Sequence, residues 1–374
     1  ITVVVYFQNP KQKRDELKKM KPDRIKKVIE NMENSNLKQI IVYSKHSIYY
    51  LTGIWAEPGE RLIALYINTD GRIELFSNAI FGIDTVSIKN FVHKDGENPV
   101  ADLAYTLSSG AVGIDKNLPS KFLIGIMELR KDIFPVNGSM PVDIARMIKD
   151  TDEIEKMRHS SKINDEVIKE GIEAIKDGVT EKELANIINN GYMKRGASRG
   201  GTQLVAFGKN CANPHHGSKN ITLSKGDSVL FDIFLPINKY WCDMTRTVFL
   251  KEITKEQEYV YETVKTANIK AIEKVKNGVP LKDIDKAARS YIEDRGYGKY
   301  FTHRTGHNIG LECHELPDVS SQSEFCAKTG MIFSIEPGIY IPDRFGVRIE
   351  DLVLVTDDGC EILNSYTKEL QIIK

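Results

Sequence analysis

The 374-residue sequence has no apolar run long enough to cross a bilayer, which excludes a helical membrane protein. It has no excess of either charge, since Lys plus Arg and Asp plus Glu number 52 each. That balance removes the global field expected of a nucleic-acid or membrane-surface binder, and neither partner is expected. Cysteine is scarce: five residues, an odd number, with no CxxC pair. This suits a reducing compartment better than a disulfide framework, and a cytoplasmic location is expected. The opening "ITVVVYF" is too short for a signal h-region and has no basic flank before it. Residues 1–19 are treated as an extension and given no role.

What is present is organised. From Pro22 to about Val136, helix and strand patterns alternate. "PDRIKKVIENMENSNL" places Ile25, Val28, Ile29 and Met32 at helical spacing. "QIIVYS", "LIALYINTDGRIELFS" and "AVGID" read as strands, with a hairpin corner at Thr69-Asp70-Gly71. This predicts an α/β domain over 20–145, with neither a phosphate loop nor a nucleophile elbow. Asp150 followed by Glu153 predicts a capping box and a long helix after it, opening a second domain over 146–374.

The second domain repeats itself. "KDGVTEKELANIINNGYMKRG" and "KNGVPLKDIDKAARSYIEDRG" share landmarks 100 residues apart, Gly178 with Gly278 and Arg195-Gly196 with Arg295-Gly296. A helix is expected to end at Gly178, with Thr180 and Glu183 capping the next. Pro280 is expected to start that helix in the second copy. The echo continues: His215 lies 99 residues before His314, and Gly226 precedes Asp232 by the same six residues as Gly330 precedes Glu336. Two copies at this period are no solenoid. They predict an α+β unit duplicated about a pseudo-two-fold, each half ending in an acid-bearing hairpin.

The acids ask for cations. A turn centred between Ile237 and Asn238 would set Asp232 directly opposite Asp243, and one centred on Asp343 would set Glu336 opposite Glu350. Like charges so placed destabilise a sheet unless a shared proton or a metal lies between them. Four carboxylates meeting at the pseudo-two-fold suit two divalent metals with bridging carboxylates. The donors sit on paired strands, not in a compact Asp-rich loop, so calcium is disfavoured. Five of the eight histidines fall between 215 and 314, and "FTHRTGHNIGLECHE" holds His303, His307 and His314. Imidazole with carboxylates points to manganese, iron, cobalt or zinc over magnesium. One histidine is expected as a ligand, the others as hydrogen-bond donors to a substrate. Arg348 shares a strand face with Glu350.

The ordered set Asp232, Asp243, His307, Glu336 and Glu350 stands in the strings "GDSVLFDI", "YWCDMTRT", "HRTGHNIGLECHE", "GMIFSIEPGIYIP" and "GVRIED". It resembles the ligand set of the pita-bread metallopeptidases, the group of methionine aminopeptidase, aminopeptidase P and prolidase. The resemblance covers about 150–370. The first domain resembles the creatinase-type N-terminal domain of the proline-specific branch. The resemblance implies a hydrolase with two divalent ions per subunit, cleaving the bond between an N-terminal residue and proline. It implies that Asp232 and Asp243 bind one ion, His307 and Glu336 the other, and that Asp243 and Glu350 bridge. A hydroxide between the ions would attack, and Glu336 would shuttle the proton. His215 and His314 would contact the peptide and steady the tetrahedral intermediate, while His303 and Arg348 would shape the site. A homodimer and a proline-containing peptide substrate are implied. Asn308 departs from the glycine common after the ligand histidine and is expected to adjust the loop alone. The alternatives in the same fold are a metal-independent creatinase-like hydrolase and a non-catalytic peptide-binding module.

Overall fold

The computed structural model describes residues 20–85, 87–197, 200–201 and 203–374, so the extension over 1–19 lies outside the described residues. The chain forms two compact units, one ending at Arg146 and one running Met147–Lys374.

The first unit is built on a mixed six-stranded sheet. Its strands are β1 (Gln39–Val42), β2 (Ile63–Asn68), β3 (Ile73–Asn78), β4 (Lys89–His93), β5 (Gly110–Ile114) and β6 (Ile133–Asn137), ordered β4-β3-β2-β1-β5-β6. β1 pairs antiparallel with β2 and parallel with β5. β1 and β2 are buried along their whole length, with the apolar runs Ile40–Val42 and Ile63–Ile67 inside and the polar ends Gln39 and Asn68 hydrogen-bonded. The β2–β3 corner falls at Thr69-Asp70-Gly71, where Gly71 takes a φ of 91°. Around the sheet lie α1 (Pro22–Asn34), α2 (Lys45–Thr52), α3 (Ala101–Thr106), α4 (Ser120–Leu129) and α5 (Met140–Met147). α1 buries Ile25, Val28 and Met32, three and four residues apart, and leaves Lys26, Lys27 and Glu30 in solvent.

The second unit is a duplication, visible bond by bond. Its first half runs α6 (Thr151–Glu173), α7 (Glu181–Lys194), β7 (Leu204–Phe207), β8 (Ser228–Ile237) and β9 (Tyr240–Leu250). Its second half opens with α8 (Lys255–Lys274) and α9 (Leu281–Glu293). Seven strands follow: β10 (Gly306–Asn308), β11 (Glu315–Val319), β12 (Ile332–Ile335), β13 (Gly338–Ile341), β14 (Phe345–Arg348), β15 (Asp351–Val355) and β16 (Cys360–Ile362). A short β17 (Ile372–Ile373) returns to lie parallel to β9. Capping boxes start α6 at Asp150 and Glu153, and α7 at Thr180 and Glu183. Leu223 N donates to Val179 O as Ala327 N donates to Val279 O. Gly226 N donates to Leu250 O as Gly330 N donates to Val355 O. Glu181 N donates to Ile221 O as Leu281 N donates to Phe325 O. A fully buried asparagine on each long helix gives its amide to a strand carbonyl next to an acid, Asn164 to Ile233 O and Asn268 to Ile335 O.

Three local expectations are corrected. α6 stops at Glu173, and Gly178, at φ 80°, serves the turn that follows. Pro280 stands at the cap position, with α9 beginning at Leu281. The first hairpin turns between Asn238 and Lys239, one residue later than expected, with both at positive φ (51° and 73°). Two-residue turns with positive φ at both central positions match the twist of paired strands. A turn one residue earlier would force β-branched Ile237 into that region, which Asn tolerates and Ile does not. Asp232 therefore faces Thr245, and Asp243 faces Phe234.

Candidate active site

The one-residue correction leaves both acids on one face. Strand side chains alternate, so a diagonal pair shares a face just as a facing pair does. The second hairpin is built differently. Ile335 pairs with Asp351 where β12 meets β15, and Gly338 pairs with Arg348 where β13 meets β14. Glu336 and Glu350 occupy the breaks between these ladders. Their amides turn elsewhere, Glu336 N to Thr305 O at 2.7 Å and Glu350 N to Thr245 O at 3.1 Å. Thr245 Oγ1 then donates to Glu350 Oε2 at 2.8 Å, so Glu350 is tied to the first half by main chain and side chain alike.

β10 delivers His307. Its amide donates to Ser334 Oγ, and Nδ1 lies 3.1 Å from Asn308 O. Nε2 is left facing acids, 3.4 Å from Glu336 Oε1 and 3.9 Å from Asp243 Oδ2. Asp243, His307 and Glu350 are all buried, and each offers a donor atom within 4.8 Å of the others. Asp232 is engaged apart from that trio, 2.6 Å from the Arg348 guanidinium.

The electrostatics are those of a cage made for cations. Burial, then Asp232 and Glu336, pushes the Asp243 carboxyl well above its usual range. Burial, then Asp243 and Glu336, does the same to Glu350. Burial raises Glu336 to about 7, against the pull of Arg348. Burial, then His314, holds His307 neutral, with its pKa well below the ordinary value. Asp243 Oδ1 and Glu350 Oε1 are buried without a hydrogen-bond partner. An orphaned carboxylate oxygen in a buried place is costly, and a divalent cation among these oxygen and nitrogen donors removes that cost. The donor set fits the metal chemistry expected of it.

The remaining expected residues form the surroundings. His303 Nε2 lies 2.8 Å from Tyr340 Oη, which accepts from Arg348 Nη1 at 2.9 Å, and Arg348 Nε donates to Thr245 Oγ1 at 3.0 Å. Burial, then Arg348, lowers His303 to about 3, so it stays neutral. Burial works against the charge of Arg348, but Tyr340, Asp232, Glu336 and Glu350 hold it protonated. His314 packs edge-on against His307 with ring centres 4.3 Å apart, and burial followed by Arg304 lowers its pKa. His215 is exposed on the loop between β7 and β8. Asn308 gives its amide to Leu316 O, and its side-chain oxygen is buried without a partner.

Sequence reasoning missed Thr245, Ser334, Tyr340 and Cys313. Thr245 lies two residues beyond Asp243, and Ser334, which donates to Glu336 Oε1 at 3.2 Å, lies two before it. Alternation alone would have found both, by asking what else each acid's face carries. Tyr340 needed the β13–β14 pairing as well. Cys313, donating to Asp243 Oδ2 at 3.4 Å, arrives on a loop and has no local signature.

Residues 155–357 match metallopeptidase family M24, and residues 24–148 match the creatinase/prolidase N-terminal domain. The chain belongs to metallopeptidase family M24. An uncharacterized peptidase of Staphylococcus aureus is 37% identical over 357 residues, spanning 92% of this chain and 99% of that protein. A dipeptidase from Pyrococcus horikoshii superposes with a TM-score of 0.88 at 34% identity, covering 94% of this chain and 100% of that one. A prolidase from Thermococcus sibiricus gives 0.89 at 33%, covering 94% and 99%. This M24 metallopeptidase therefore has the pita-bread fold behind a creatinase-type domain. The family works with divalent metal, and Asp243, His307 and Glu350 are the group here that could hold one. Among the described residues no helix is long and apolar enough to cross a membrane.

Proposed function

We propose that this protein is an Xaa-Pro peptidase, a dipeptidase of prolidase type or an Xaa-Pro aminopeptidase, working through two divalent ions in a cytoplasmic homodimer. The observation that carries the reading is the buried trio Asp243, His307 and Glu350 with two orphaned carboxylate oxygens. The prolidase-type first domain and the dipeptidase and prolidase neighbours support the proline-specific branch.

In this reading Asp232, Asp243, His307, Glu336 and Glu350 would hold the two ions. Bound ions supply Lewis acidity and an acidified water. The chain does the rest. Glu336, tethered by Ser334, is the carboxyl that would carry a proton to the departing nitrogen. Any amide nitrogen must gain a proton to leave as an amine, and in an Xaa-Pro bond that nitrogen has no N–H of its own for a site to read. His314 and His215 offer N–H groups to the developing oxyanion. The His303–Tyr340–Arg348 chain fixes the guanidinium beside Asp232. Thr245 and Ser334 lock the rotamers of Glu350 and Glu336, which spares reorganisation during the reaction.

The test is hydrolysis of Xaa-Pro dipeptides and Xaa-Pro tripeptides by protein loaded with manganese, cobalt, iron or zinc, with metal counted on the same sample. Turnover is expected with about two ions per chain. Dipeptide-only turnover marks a prolidase. No turnover of either substrate with any of the four metals sinks the proposal.

A further inference from the structure

The loop carrying His215 is held by a residue outside the metal cage. Glu181, in the first turn of α7, is fully buried and makes four contacts through its carboxylate. Oε1 accepts from Phe207 N at 2.9 Å and Asn210 Nδ2 at 2.8 Å. Oε2 accepts from Lys219 N at 2.9 Å and faces His216 Nε2 at 2.8 Å. These partners run from Phe207, the last residue of β7, to Lys219 and so flank the stretch that carries His215. The helix start grips the same loop with its main chain, Lys182 N donating to Lys219 O and Glu181 N to Ile221 O. Within that stretch lie exposed His215 and Pro214, whose carbonyl is 3.5 Å from Arg348 Nη1.

The duplicated half shows that the fold does not need this acid. At the equivalent helix start stands Leu281, also fully buried, and its amide makes the equivalent bond to Phe325 O. Scaffold geometry is therefore satisfied by an apolar side chain. The first half buries a carboxylate there and must supply four donors to offset its desolvation.

We propose that Glu181 is a positioning residue that fixes His215 toward the substrate by pinning the 207–219 loop, with His216 as its side-chain partner. This rests on the reading of His215 as a substrate-contacting group. The carboxylate is needed as an acceptor on both branches. An amide nitrogen on either branch would face an N–H that it cannot accept from. Glu181→Gln therefore loosens the loop while leaving the metal cage, which Glu181 does not touch.

The experiment is a double-mutant cycle on the metal-loaded enzyme, with Glu181→Gln, His215→Ala and both together, reading kcat and KM on an Xaa-Pro dipeptide and metal content by elemental analysis. Glu181→Gln is expected to lower kcat/KM about tenfold or more, the scale of a small misplacement of a reacting group. Metal content should match wild type. The double variant should be no worse than His215→Ala alone, because the second change removes what the first displaces. Losses that multiply overturn the inference while the role of His215 stands. Full activity in His215→Ala overturns that role and the inference with it. Should Glu181→Gln fail to fold, His216→Leu runs the same cycle, since it spares the other three contacts. His216→Gln, which keeps a donor, should recover most of the lost activity, and failure of this rescue alongside multiplying losses also counts against the proposal.

Discussion

The two hairpins that face each other across the site reach one end by different means. The first, β8 with β9, is an unbroken ladder of ten pairs closed by a two-residue turn, and it presents the shorter acids, Asp232 and Asp243, from within the ladder. The second is interrupted at its acids, and Glu336 and Glu350 take their amide partners from Thr305 and Thr245. A continuous ladder fixes side chains through its own register. A broken one must borrow its order from neighbours, and here Glu350 borrows from the opposite hairpin.

The sharpest break of that comparison is Glu350→Ala. It should lower activity on the order of 10³-fold or more, the loss expected when a group supporting several kcal/mol of metal-derived stabilisation is removed. The chelated variant should unfold no earlier than chelated wild type, because it loses a buried carboxylate with an orphaned oxygen. Activity and calorimetry on one preparation check both. Next comes Thr245→Val, which cuts the hydroxyl between the hairpins without replacing a proposed ligand. Metal affinity should fall about 10–100-fold, the usual cost of losing such a support, read by titration with a metal indicator. Unchanged affinity would show that the second hairpin orders its own acids.

The pH dependence of the metal-free protein follows from the raised carboxyls. Glu336 at about 7, and Asp243 and Glu350, both held well above the usual carboxyl range by burial, all have folded values above their unfolded ones. Such groups contribute stability that is full below the unfolded value, about 4, and is lost as pH rises through the folded value. The melting temperature of chelated protein should therefore fall between pH 5 and 8, the assay window. Saturating metal should flatten that slope. The smallest effect belongs to the first hairpin's turn. Lys239 sits at φ 73°, and Lys239→Gly relieves that strain at some cost in unfolded-chain entropy. A gain below about 1 kcal/mol in denaturant unfolding is expected.

Much of this was legible in the chain because it depends on short spacing. Capping pairs and strand alternation are local patterns, and the 100-residue echo repeats them, so the acid-bearing hairpins and the histidine-rich segment 301–315 stand out in the sequence. The turn at Asn238-Lys239 was missed by one residue because apolar alternation survives a two-residue shift in pairing, while positive φ is set by the residues at the corner. The Asp232–Arg348 pair spans 116 residues, and the Glu181 contacts span 26 to 38, two of them ending on the main-chain N–H groups of Phe207 and Lys219. Main-chain donors carry no residue type, so no spacing rule announces them.

The double attachment of Glu350 to Thr245 also bears on ancestry. In a symmetric pair of identical subunits, every contact from one partner to the other is matched by its reciprocal. Any change is then made twice, and the two sides cannot specialise. A fused chain is free of that reciprocity. Thr245 and Glu350 meet once, so one copy was left at liberty to keep short acids on a stiff ribbon while the other took longer acids and a histidine. Two similar halves thus carry a division of labour within a single polypeptide.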